Sequence, residues 1–173
     1  MQAIEHAAVA PSSVVATDAE TRGTDDHHES LRLWLRLLTC TQMVEREIRA
    51  RLRERFSITL ARFDLLAQLE RHPRGLRMGE LSRRMMVTGG NVTGLTSELV
   101  AEGLVARAPA PEDRRAYAVR LTPQGKAAFD TMAAEHEQWV IGLLADVGAP
   151  DRASLYHLLG TLKRSVSCRQ EIR

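Results

Sequence analysis

Cysteine is nearly absent. Cys40 and Cys168 are the only two in 173 residues, 128 positions apart. That excludes a disulfide framework and points to a reducing, cytoplasmic setting. Aromatics are scarce as well: Trp34, Phe56, Phe63, Tyr117, Phe129, Trp139 and Tyr156 are the full set. No stretch approaches about 18 uninterrupted apolar residues, so a membrane-spanning helix is excluded. The first residues lack the basic stretch and apolar core of a secretory signal, so export is not expected. No nucleophile–base pair, phosphate loop or metal-ligand spacing is legible, so neither an enzyme nor a bound cofactor is expected. The His27–His28 pair is read as solvated.

Lysine is almost missing, and what is present is arginine. Only Lys126 and Lys163 occur, so 22 of the 24 basic residues are arginine. A GC-rich genome favours arginine codons, but the planar guanidinium also suits phosphates, guanine edges and narrow minor grooves. The net charge of +2 hides an uneven distribution. Residues 1–30 hold one basic residue against six acids, while 31–71 and 72–126 each hold nine basic against five acidic. Residues 127–173 are close to balanced, with five against six. A basic body preceded by an acidic segment is the footprint of a nucleic-acid partner with a masked charge.

Residues 1–28 show no sustained period and are read as an acidic, mobile tail. From Ser30, a plausible N-cap, residues 30–56 form one long helix, with Leu33, Leu37, Cys40, Val44, Ile48 and Leu52 at three- and four-residue steps. Its later turns are basic at Arg46, Arg49, Arg51, Arg53 and Arg55. Thr59 caps a second helix over 59–71, ended by His72-Pro73-Arg74-Gly75. Two short helices over 79–86 and 89–102 follow, joined by Val87-Thr88-Gly89-Gly90 and closed by Gly103. Val92, Leu95, Leu99 and Val100 form the inner side of the second. This is a helix-turn-helix pattern.

The period then changes to two. Leu104–Arg107 and Tyr117–Leu121 read as strands around the polar connection Ala108–Arg115. Thr122 and Pro123 open a long helix over 123–147, and Gly148-Ala149-Pro150 separates it from a last helix over 151–168. The fold class is therefore mainly α with a small β-wing: a winged helix-turn-helix over 58–122, with long terminal helices over 30–56 and 123–168. Those terminal helices carry more apolar face than a small winged domain covers, which predicts burial between two copies of the chain.

The run Gly79-Glu80-Leu81-Ser82 through Gly103-Leu104-Val105, then Asp113-Arg114-Arg115 and Leu121-Thr122-Pro123-Gln124-Gly125, resembles the MarR family of bacterial transcriptional regulators. The resemblance covers about residues 30–168. It implies a cytoplasmic homodimer, associated with the nucleoid when DNA-bound, that reads a pseudo-palindromic double-stranded operator. It also implies repression relieved by a small-molecule effector. Arg55-Phe56, Arg62-Phe63-Asp64 and Leu81–Thr93 are further similar to MarR regulators of hydroxycinnamate catabolism. That similarity implies an aromatic acid or its CoA thioester as effector.

The residues carry this reading on their own terms. Thr88, Gly89, Gly90, Asn91, Thr93, Gly94, Thr96 and Ser97 are small and polar, as a helix approaching base edges requires. Arg83 and Arg84 stand just before the turn and suit the phosphate backbone. The resemblance assigns Arg115 to the minor groove, with Asp113 holding it and Arg114 beside it. For the effector, Trp34 lies near Arg32 and Arg36, and an aromatic with cationic neighbours suits an anionic aromatic ligand; Trp34 as an interface anchor is the alternative. Arg46 and Arg49 suit CoA phosphates, and Cys40 and Phe63 complete the candidate set. Two other readings remain open: redox response through Cys40, which the apolar stripe argues against, and a DNA-binding regulator with no effector.

Overall fold

The computed structural model describes residues 28–110 and 113–171, with side chains described for 28–109 and 117–169. The expected tail over 1–28 falls, but for His28, outside the described residues. Backbone contacts divide the chain after Glu45.

The described part of the first unit is the N-terminal half of α1 (Glu29–Phe56). Ser30 is the second residue of this helix, not its N-cap. The apolar stripe is present but uncovered: Leu33, Trp34, Met43 and Val44 are all exposed. Cys40, expected inside that stripe, is exposed too. The three- and four-residue steps put Cys40 in line with Leu37 and Val44, but burial additionally requires something to lie over that face.

In the second unit, α1 buries Ile48 and Leu52. The next elements are α2 (Leu60–Glu70), β1 (Leu76–Arg77), α3 (Met78–Met85) and α4 (Gly89–Ala101), then β2 (Val105–Ala110), β3 (Asp113–Leu121), α5 (Pro123–Leu143) and α6 (Ala149–Glu171). Thr59 caps α2 as expected, its hydroxyl accepting from the Arg62 N–H. Leu65, Leu66 and Leu69 of α2 meet Leu81, Val92 and Leu99 of the helix-turn-helix and Val105 and Val119 of the wing in one core. At its end towards α5, Phe63 stacks on Phe129 at 5.5 Å between ring centroids.

The sheet has three antiparallel strands in the order β1-β3-β2. The two residues of β1 are too few for a period to show. They pair with Val119 and Ala118 because Gly75 turns the chain at φ +90°, where a Cβ would lie 2.8 Å from the Val119 carbonyl oxygen. Both wing strands run further than the alternation suggested. Pro109 is accommodated because β2 is an edge strand, and the register shifts at Pro109/Ala110.

Helix α5 ends earlier than expected and α6 begins earlier. Pro150 sits in the first turn of α6, where its missing N–H leaves no bond unmade, and Gly148 accepts from the Arg152 N–H. The start of α5 is the tightest junction in the unit. Thr122 donates to the Gly103 carbonyl at 2.7 Å and accepts from the Gly125 N–H at 2.9 Å. A Cβ on Gly125 would stand 1.8 Å from the Leu104 carbonyl oxygen. Backbone therefore passes over backbone there, and only glycine fits. Gly125→Ala is expected to cost about 3 kcal/mol or more in urea unfolding, the upper range for overpacking at a rigid contact; a loss below about 1 kcal/mol would show that the crossing yields easily.

Candidate nucleic-acid interface

Helices α3 and α4 are joined by a turn made largely of backbone hydrogen bonds. The Val87 N–H donates to the Ser82 carbonyl and the Met86 N–H to that of Arg83, both at 3.2 Å, while the Ser82 hydroxyl donates to the Val87 carbonyl at 2.6 Å. These bonds hold Met86 in the left-handed region at φ 53°, ψ 39°. Thr88 then enters α4 as N-cap in an extended conformation, and its hydroxyl makes no capping hydrogen bond. The amides that open α4 thus face outward from a helix end with positive partial charge, a suitable arrangement for a phosphate.

The two faces of α4 have opposite chemistry. Val92, Thr96 and Leu99 point inward and are fully buried. Thr88, Gly89, Gly90, Asn91, Thr93, Gly94 and Ser97 are exposed. At Gly89, Gly90 and Gly94 a Cβ would meet no atom within 4 Å. Among the described residues nothing requires glycine at these positions, and at Gly94, inside the helix, it costs about 1 kcal/mol of propensity relative to alanine. Their effect is to leave bare helix backbone on an outer surface, which lets a flat or grooved partner approach closely.

Thr96 does not belong to this surface. Expected among the DNA-facing residues, it is 0% exposed, and its hydroxyl lies 3.9 Å from the Met78 sulfur. Its small polar character suggested the outer face, but its spacing from Val92 and Leu99 sets it on the inner one. Thr93 spends its hydroxyl proton on the Gly89 carbonyl, 2.9 Å away.

The arginines differ in their commitments. Arg83 is exposed on the last turn of α3. Arg84 forks onto Glu80 one turn back, at 2.8 Å and 3.1 Å. That bond, with Arg84's charge, holds the Glu80 carboxyl below its ordinary range. An exposed pair of this kind is weak and readily exchanged for a phosphate. Arg107 was missed in the sequence. Two residues on from buried Val105, and so on the same face of β2, it is exposed and donates to the Ser97 hydroxyl at 3.1 Å, beside the outer face of α4. Strand alternation groups Arg107 with Val105 and carries no signal of its exposure. Asp113, Arg114 and Arg115, the expected wing contacts, lie outside the residues whose side chains are described.

The candidate effector residues are scattered. Trp34 (54% exposed), Arg36 and Cys40 belong to the first unit, whereas Arg46 and Arg49 are exposed residues of the second. Phe63 is buried, stacked on Phe129 and 4.9 Å from the His136 ring. Burial pushes the His136 pKa down, partly opposed by Asp64. Phe63 is thus a core residue in this chain. Among the described residues no helix is long and apolar enough to cross a membrane.

Comparison with known proteins gives these observations a family. A sequence model of the MarR family matches residues 56–116. The transcriptional activatory protein BadR of Rhodopseudomonas palustris is 30% identical over 131 residues, 74% of each chain. The HTH-type transcriptional regulator YdgJ of Bacillus subtilis is 29% identical over 110 residues, 64% of this chain and 66% of its own length. Among solved structures, a MarR mutant from E. coli complexed with operator DNA superposes with a TM-score of 0.68 at 26% identity, covering 80% of this chain and 99% of that one.

The glycine surface generates a two-sided prediction. Gly94→Ala should raise unfolding stability by about 1 kcal/mol, because the new methyl meets nothing and helix propensity improves. It should also weaken binding to duplex DNA by about tenfold, because the methyl stands where the partner must approach. Unchanged affinity in a fluorescence-anisotropy titration would remove this face from the interface.

Proposed function

The chain belongs to the MarR family of transcriptional regulators, and on that premise we propose that it acts as a homodimeric repressor. In this reading it binds a pseudo-palindromic operator and is released by a small aromatic effector. The observation that carries the DNA reading is the outer face of α4: exposed glycines, an uncommitted N-cap hydroxyl at Thr88, and Arg83 and Arg107 beside it. The N-terminal turns of α4 enter the major groove, with Asn91 and Thr93 at base edges and Arg83 and Arg84 on phosphates. In the wing, Arg115 takes the minor groove, steadied by Asp113 and flanked by Arg114.

Dimerisation is supported by the apolar stripe of α6. Leu155, Leu158, Leu159, Leu162 and Val166 recur at helical spacing and are all exposed, Leu158 to 64%. A stripe of this length on an otherwise polar helix calls for a partner surface. Two-fold symmetry then sets the two α4 helices about one DNA turn apart, roughly 34–36 Å.

For the effector, exposed Trp34 with Arg32 and Arg36 on neighbouring positions of α1 suits an aromatic acid. Arg46 and Arg49, further along that helix, suit the phosphates of a CoA thioester. A ligand releases the operator only if it binds the DNA-incompetent spacing of the helices more tightly. The exposed thiol of Cys40 favours a second reading, release by oxidation.

One set of gel shifts and sedimentation runs tests the whole reading. With DNA recovered from a random duplex pool, Arg115→Ala should bind at least about tenfold more weakly and show a shallower salt dependence. The wild type should sediment at twice its chain mass of 19.3 kDa, and Leu158→Asp should reduce both mass and binding. A hydroxycinnamate or its CoA thioester should release the DNA; release by peroxide alone would favour Cys40. A single-chain mass with undiminished DNA binding would refute the dimer.

A further inference from the structure

Among the described residues, three helices end on a left-handed residue, at Ser57, Met86 and Gly103. Met86 and Gly103 share one hydrogen-bond pattern: the N–H of the left-handed residue reaches the carbonyl three residues back (Arg83 and Val100), and the next N–H reaches five back (Ser82 and Leu99). This position favours glycine, because a side chain there crowds the backbone. Met86 is the large occupant. Its side chain recovers little from the described residues, since it is 91% exposed, the most exposed of the large hydrophobics among them. The adjacent Met85 is by contrast half-buried against the core. The chain thus bears two costs at one residue, a left-handed backbone and an uncovered thioether.

The surroundings indicate what covers it. Met86 stands between Arg83 and Thr88, two residues before the N-cap of α4, at the entrance to the exposed glycine face. On the DNA-binding reading above, on which this inference rests, that turn lies at the rim of the major groove. The apolar group a protein meets there is the 5-methyl of thymine. Methionine is unbranched, flexible and polarizable, suited to reaching such a group from a turn. We propose that Met86 is a specificity residue: it covers a thymine methyl at the edge of each operator half-site, and the strain at its backbone is retained for that contact.

The test removes one methyl at a time. In DNA recovered by the wild-type protein from a random duplex pool, each symmetry-related pair of thymines is replaced by deoxyuridine. Wild-type affinity should fall about fivefold or more at one pair, a methyl lost from each half-site. Met86→Gly should bind the unmodified DNA more weakly by a similar factor, ignore the replacement at that pair, and melt no lower than wild type. Met86→Leu, still apolar, should keep the discrimination. Equal sensitivity of wild type and Met86→Gly at every pair would overturn the proposal. So would a Met86→Gly melting temperature well below wild type, which would show that the side chain stabilises the free protein. If the wild type recovers no DNA from the pool, the DNA-binding reading falls, and this inference falls with it.

Discussion

The passage of α5 over Leu104 is the constraint on which the rest depends. Gly103 ends α4 in a left-handed turn, Leu104 begins the wing, and Thr122 and Gly125 return across both. Three pieces with different tasks meet within a few ångströms: the C-terminal end of α4, the base of the wing and the first turn of α5. Because the contact is backbone on backbone, it has little room to adjust. Glycine at 125 is what permits it.

Much of this was legible in the residues. The junction announced itself as Leu121-Thr122-Pro123-Gln124-Gly125, since a capping threonine and a proline at the first helical position have one local solution. The helix-turn-helix was legible from its punctuation by Gly89, Gly90 and Gly103, and the wing from the change of period that follows. Other features were not. Two-residue β1 is too short to show a period and exists because β3 offers it a partner. Thr96 was misplaced because composition outweighed phase: a small polar residue on a glycine-rich helix looked outward, while its three- and four-residue offsets from Leu99 and Val92 set it inward. Arg107 was not legible because period two groups it with buried Val105; its exposure depends on its position along β2, not on the face it occupies.

Exposure along α1 and α6 carries a different lesson. Helical spacing gives the face a residue occupies; burial depends on whether another surface lies there. Cys40 and the leucines of α6 recur at helical spacing with apolar neighbours, and all are exposed in the single chain. An uncovered stripe is costly in water and is itself a sign of assembly. The charge distribution has a similar character. A net charge of +2 conceals an arginine-rich body over residues 31–126 behind an acidic beginning. What matters to a polyanion is where on the surface that excess lies, not the total.

The central claim is that the outer face of α4, bare at its glycines and open at its N-terminus, is the surface that meets DNA. Amide hydrogen exchange of the full chain, with and without duplex DNA recovered by the protein itself, tests this most directly. Bound DNA should slow exchange most strongly from Met86 through Ser97, with weaker slowing at Arg107. Slowing confined to α5 and α6, with the first turns of α4 exchanging as fast as in the free protein, would contradict it.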